Sequence, residues 1–307
     1  MDAASWKFAL ANLDKFEDSL ARTMVWMAAW DATRDGETPS SEFIKLVLGN
    51  IQAETQGSAL QTLLRQLVTV ANLYVAPETS EATITTVGKR LWELAQAAKP
   101  GSDAQLMFVR FTAKFANTAE LGDVLAGLLD GSIKLDGLTI DQDRRWELLI
   151  GLSALGRVSQ AEIDAELTKD NTANGQKFAF HAEAVVPTAA AKAAVWEKLV
   201  TDTELSNTLV GEGALAFTEV WDNSLLESYV DKYFDMVLPV WNSRTFKIAE
   251  YLIELLYPTA LASDALVAKT RAFIERPEIA AIPALKRIVV ENLANVERAL
   301  KAQKADK

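Results

Sequence analysis

One histidine and no cysteine in 307 residues narrow the chemistry this chain can do. A zinc hydrolase site of the H-E-x-x-H kind needs two imidazoles on one helix face, a glutamate between them as base, and a third ligand further on. His181 alone cannot supply that set. The absence of cysteine removes thiolate ligands, thiol nucleophiles and disulfides together. A Ser-His-Asp arrangement would have to use His181, and no G-x-S-x-G elbow is present. Neither G-x-x-x-x-G-K nor G-x-G-x-x-G occurs, so no glycine loop cradles a phosphate. Gly211-Glu212-Gly213 reads as a helix break. His181, set in Lys177-Phe178-Ala179-Phe180-His181-Ala182, reads as a partly buried helix histidine.

Carboxylates are the remaining candidates for acid–base work. Asp141 with Asp143, Glu162 with Asp164 and Glu166, and Glu183 could in principle serve glycoside hydrolysis on an α/α toroid. With 42 acidic residues, however, chance pairs are plentiful. Asp141 reads as a helix cap, and Glu162 with Glu166 as an exposed i,i+4 face. Terpene-synthase-type D-D-x-x-D is absent. Among the cations, Arg144-Arg145 and Arg244 stand at helix starts, where the macrodipole gives a positive charge no advantage. They need acidic partners or a function. Arg244 also follows Trp241-Asn242-Ser243. Of the eight tryptophans, Trp26, Trp30, Trp92, Trp146 and Trp196 sit in apolar helical patterns and read as core rather than as a sugar platform.

The elements that would carry these residues are helices throughout. The clearest unit runs from Ala119 to Gly156. Leu121, Val124, Leu125, Leu128 and Leu129 form one stripe, Gly131 is placed to end the helix in a left-handed conformation, and Asp141 caps the next. That next helix has Trp146, Leu149 and Ile150 on one side and Leu148, Leu152 and Leu155 on another, so it needs neighbours on both. Near the N-terminus a short helix spans about Ala4 to Leu13. Asp14 then offers a cap for a helix to Arg34, with Phe16, Leu20, Met24, Met27 and Trp30 as its main stripe. Between Met24 and Trp30 that helix is apolar almost all round and is predicted to be sandwiched. Thr38-Pro39 restarts a helix, and Ala82-Thr83-Ile84-Thr85-Thr86-Val87, the best strand-like patch, lies inside a longer helical pattern. Further helices are predicted to the end of the chain, about sixteen in all, of ordinary length and joined by short loops. The pattern predicts an all-α protein, a superhelical stack of antiparallel helix pairs resembling a HEAT-like α-solenoid. A closed α/α toroid is the other all-α solution. No Pro/Ser/Gly-rich linker interrupts residues 1–307, so one helical-repeat domain is expected.

Net charge is −11, which disfavours nucleic acid as a partner. No apolar run approaches the ~20 residues of a membrane span, and Met1-Asp2-Ala3-Ala4-Ser5-Trp6 does not read as a signal peptide. A cytoplasmic protein with no membrane partner is the expectation.

The residues also carry a resemblance. Leu125-x-x-Leu128-Leu129-x-Gly131, then Gly137-Leu138-x-x-Asp141-x-Asp143-x-Arg145-Trp146-x-Leu148-Leu149, then Leu152-x-x-x-Gly156 resemble the C-terminal helical domain of bacterial aminopeptidase N. That family comprises zinc metallopeptidases of the gluzincin type, and the form resembled is that of high-GC Gram-positive bacteria. The likeness continues through Glu162 to Leu167, Asp170-Asn171-Thr172-Ala173-x-Gly175, Pro187-Thr188-Ala189 with Lys192 and Trp196, and Trp241-x-x-Arg244-Thr245. It covers nearly the whole chain, best from about Leu13 to Leu300. The family's H-E-x-x-H and G-A-M-E-N motifs are absent, so only its C-terminal domain is resembled. The resemblance implies a curved stack of helical hairpins that closes over a catalytic cleft and helps enclose a peptide substrate. It implies that the catalytic domain of the same polypeptide is the partner and holds the zinc, this chain having no cofactor or catalytic residue of its own. Trp241 and Arg244 are the residues expected to face substrate, and Trp6, Phe8 and Phe16 those expected at the domain interface. The alternative is a free-standing helical-repeat scaffold that binds a peptide or protein.

Overall fold

The computed structural model describes residues 1–307 and is all-α, with no strand. The chain divides into two compact units, Met1–Leu148 with Arg298–Lys307, and Leu149–Glu297. No helix is long and apolar enough to cross a membrane.

The first unit holds α1 (Ala3–Asn12), α2 (Ser19–Arg34), α3 (Ser40–Asn50), α4 (Gly57–Thr69), α5 (Pro77–Ala97), α6 (Asp103–Lys114), α7 (Ala119–Asp130) and the start of α8 (Gln142–Ala154). Side-chain caps start the helices where short polar residues allow: Asp18, Ser102, Thr118 and Asp141 each accept from a backbone N–H of the first turn. α7 ends at Gly131 with φ 82°, as the sequence predicts. The threonine-rich patch 82–87 is helical inside α5, its hydroxyls turned back to carbonyls four residues earlier. Gly137 cannot be replaced without cost. Its φ is +75°, and a Cβ there would come within 2.3 Å of the Gly101 backbone nitrogen, because the loops after α5 and α7 touch main chain to main chain. The final residues of the chain complete this unit. Asp306 accepts from Ser41 N at 2.7 Å and from Ala76 N at 3.1 Å, so one carboxylate caps the N-termini of both α3 and α5.

α2 departs from its expected placement. A 3-10 turn at Leu13–Lys15 precedes it, and Asp18 rather than Asp14 is its cap. Its buried side is Arg22, Trp26, Ala29 and Thr33, whereas Leu20, Met24 and Met27 are 65%, 66% and 61% exposed. It is therefore not sandwiched. Glu54 explains the rotation. Its carboxylate has no exposed surface and receives Arg22 at 3.3 Å and the Trp26 indole at 3.2 Å. Leaving that carboxylate without donors would cost about 3–5 kcal/mol, and turning Leu20, Met24 and Met27 inward would also expose Trp26, so the polar anchors choose which face turns inward.

The second unit holds the end of α8, then α9 (Gln160–Lys169), α10 (Ala173–Ala184), α11 (Ala189–Thr201), α12 (Asn207–Phe217), α13 (Ser224–Glu227), α14 (Tyr229–Ser243), α15 (Phe246–Leu255), α16 (Asp264–Ile274), α17 (Pro277–Ala280) and α18 (Pro283–Ala305) up to Glu297. Trp196 packs against Phe217 and Tyr229 with ring centroids 5.6 and 5.0 Å apart. Gly211 and Gly213 are not a helix break: both lie inside α12. A Cβ on Gly211 would press on the Tyr251 ring of α15, and one on Gly213 would overlap the Phe180 ring of α10. The glycines let two neighbours approach α12 closely, and that packing outweighs their ~1 kcal/mol helix penalty.

Trp146, fully buried, supplies the first test. Trp146→Ala is expected to lower stability by about 3–5 kcal/mol, read as a shift of the urea midpoint. An unchanged midpoint would show that the indole contributes no packing.

Candidate functional site

The one histidine anchors the most polar cluster of the second unit. His181 on α10 is 5% exposed. Its Nδ1 lies 2.7 Å from Glu212 Oε1 on α12, and its Nε2 lies 3.2 Å from Glu219 Oε2 just beyond α12. A ring nitrogen on each side of His181 thus faces a carboxylate, and the contact with Glu212 joins α10 to α12. Lys177 adds a cation, 3.6 Å from Glu212 Oε2. Burial pushes the Glu212 carboxyl up, but the His181 hydrogen bond and charge and the Lys177 charge outweigh it and hold the group below the usual carboxylate range.

Lys192 on α11 lies beside this cluster in chemistry and is fully buried. Its Nζ donates to Ala184 O at 2.6 Å and Phe217 O at 2.9 Å, the last residues of α10 and α12. One amine thus caps two helix C-termini, where the dipoles favour a cation. Burial lowers its pKa from 10.5 to about 8, with the Glu219 charge opposing.

No nucleophile–base geometry follows from these groups. The two imidazole nitrogens point to opposite sides of the ring and each already faces a carboxylate, so Glu212, Glu219 and His181 cannot converge on one ion. No group of three His, Asp or Glu side chains in the structure is disposed to hold a metal. The acidic candidates are likewise engaged. Asp141 caps α8, and Glu162 closes a capping box with Ser159. Asp164 and Glu183 both accept from Gln160. Glu166 is not exposed as expected; it is 2% exposed and paired with Lys169 at 3.0 Å, one turn on.

The cations fall into two kinds. Arg144 lies 3.3 Å from Glu147 Oε2, and Arg110 on α6 lies 3.0 Å from Glu147 Oε1. Burial nevertheless raises the Glu147 carboxyl above its ordinary value, the two arginines opposing. Arg145 donates to Leu129 O. Arg244 sits between α14 and α15, half-buried, with Nη2 donating to Asp202 O at 2.6 Å. Trp241 is half-buried and meets Phe246 edge-to-face at 5.7 Å, and Phe246 is 54% exposed. The structure thus brings Trp241 and Arg244 to one helix turn. At the N-terminus Phe8 is 58% exposed and packs on Phe16 at 6.2 Å. Trp6 is half-buried and its indole nitrogen has no partner.

Sequence reasoning missed Glu54, Glu147, Glu212, Glu219 and Arg110. Lys192 was noted only through the resemblance. A signal did exist for it: a lone lysine among alanines, four residues before Trp196 on what must be the buried face.

These buried charges and double caps hold a helical array together, the profile of an all-α helical domain. The chain belongs to the ERAP1-like C-terminal domain family, which matches residues 1–298. It is 36% identical over 306 residues, all of this chain, to Aminopeptidase N of Streptomyces lividans, and it spans 36% of that protein's length.

Lys192 generates the second test. Between pH 8 and 10.5 the unfolded chain holds a proton on this amine that the folded chain releases, so stability attributable to Lys192 rises with pH across that window. The gap corresponds to roughly 3 kcal/mol as an upper bound. The urea midpoint of wild type is expected to gain on that of Lys192→Met between pH 7 and pH 10. A constant difference would mean that the amine titrates normally.

Proposed function

We propose that this chain is the C-terminal helical domain of a zinc aminopeptidase N, which closes over the catalytic cleft and helps enclose a peptide substrate. The observation that carries the reading is likeness along the entire chain to one part of a longer protein named as that enzyme. The domain is not catalytic alone. Zinc would be held by the catalytic domain of the same polypeptide, since the residues present here do not fit it: one imidazole, with both nitrogens engaged by carboxylates. The 307 residues act as one superhelical stack of helix pairs in a cytoplasmic enzyme. Arg244, with one nitrogen on Asp202 O and the rest of its fork unspent, faces substrate beside Trp241 and offers a cation to a peptide carboxylate. Trp6, Phe8 and Phe16 lie at the interface with the catalytic domain.

The 307-residue chain, purified alone, is expected to carry no stoichiometric zinc by elemental analysis and to leave an aminoacyl chromogenic substrate intact. The complete polypeptide should show both zinc and turnover. Arg244→Ala in the complete polypeptide should raise KM for peptides about 5–10-fold with kcat within twofold, the pattern of lost uniform binding. Unchanged KM would remove Arg244 from the substrate's path. Turnover by the isolated chain would overturn the reading.

A further inference from the structure

The protein leaves eight large apolar side chains exposed, and five of them, Met1, Phe8, Leu20, Met24 and Met27, fall in the first 27 residues. The surplus is therefore local. Leu20, Met24 and Met27 stand at i, i+4 and i+7 on α2, one outward row about 10 Å long at 1.5 Å per residue. Between Ser19 and Trp30 the only charged residue is Arg22, which is turned inward onto Glu54. From Leu20 to Met27 the outward face of α2 consequently presents no charge; the first charge on it is the exposed Asp31, one turn further on. Two of its three leading side chains are methionine, unbranched and adaptable, a residue enriched where surfaces meet partners. On α1 the Trp6 indole N–H is buried without an acceptor, a donor that the chain itself leaves unmet.

We infer that the α2 row Leu20–Met24–Met27, with Phe8 on α1, is the surface on which the preceding part of the same polypeptide docks. This rests on the reading of the chain as the C-terminal domain of an aminopeptidase N and adds to it a place on the fold. The occupant follows from length and order. The chain spans 36% of its Streptomyces relative, so about two thirds of that protein lies outside it, and the family is defined as a C-terminal domain. A polypeptide that precedes such a domain joins it at α1, the helix that carries Phe8 and comes directly before α2. The contact buries thioether and leucine side chains against an apolar face and brings an acceptor to the Trp6 indole. Met24 and Met27 are thus interface residues, and the rotation of α2 by Glu54 is what presents them.

The test places a photo-crosslinking benzoylphenylalanine at Met24 in the complete polypeptide, with Glu278, exposed on α17 and away from Arg244, as the control position. Cross-links from position 24 to residues that precede Met1 are expected, and none from position 278. In parallel, the double variant Met24→Lys/Met27→Lys should melt within about 1 °C of wild type in the 307-residue chain, because both side chains are already in water there. In the complete polypeptide it should melt several degrees lower. Cross-links from Met24 to a second copy, or only within this chain, overturn the placement, as does equal melting of wild type and variant in the complete polypeptide. If the reading frame holds no upstream H-E-x-x-H sequence, the functional reading falls and this inference with it. If an active peptidase is present but position 24 cross-links elsewhere, the docking surface alone is wrong.

Discussion

The carboxylate of Glu54 sets the orientation of the first unit. It sits at the end of a 3-10 turn, Ile51–Ala53, and collects Arg22, the Trp26 indole and the backbone N–H groups of Thr55 and Gln56. Burial alone would push this carboxyl up, but Arg22, the Gln56 N–H and the Trp26 indole hold it below its usual range. Arg22 in turn donates to the carbonyls of Phe16 and Glu17. One charge pair therefore fixes α2 about its own axis and the chain that leads into it. Removing either partner from such a buried pair costs about 3–5 kcal/mol, because the other is left uncompensated. That is larger than what turning three apolar side chains inward would recover once the opposite face of α2 had to leave the core.

The same device recurs at two other points, with the sign of the charge matched to the end of the helix. Asp306 serves two helix N-termini, α3 and α5, and Lys192 serves two helix C-termini, α10 and α12. Helices that end side by side leave orphan N–H or C=O groups that cannot reach water. A single long or terminal side chain that bridges two ends satisfies both for the burial of one charge. The His181 cluster ties α10 to α12 within about a turn of the Lys192 cap. Each unit therefore rests on leucine and aromatic packing for cohesion and on a few buried charges for registration.

Apolar period made most of the fold legible in the sequence. The helix ends at Gly131, Asp141 and Ser159 follow from cap chemistry that is local in sequence. The exceptions have physical reasons. α2 offers two competing faces, one apolar and one carrying Arg22 and Trp26, and the choice depends on Glu54, some thirty residues away. Gly211 and Gly213 look like a stop until the rings of Tyr251 and Phe180 are placed against them. Glu166 has the spacing of a solvated face, yet α9 turns it inward. In each case the deciding partner is remote in sequence, and a single chain read in order cannot supply it.

The polar residues of the helix array are largely consumed in holding it together. The histidine, Lys192, Glu54, Glu147, Glu212 and Glu219 all have partners within the fold, and most join one helix to another. A group already committed to two fixed partners is poorly placed to exchange protons with a substrate, because each transfer would break a bond that the fold uses. Groups with capacity to spare lie elsewhere. The Arg244 fork beside Trp241 and Phe246 has donors left over, and the exposed row of α2 has apolar surface left over. One suits an anion and the other a packed face, and neither carries a chemical step. That division separates the groups that register the helices from those left available to a ligand or to a packed face.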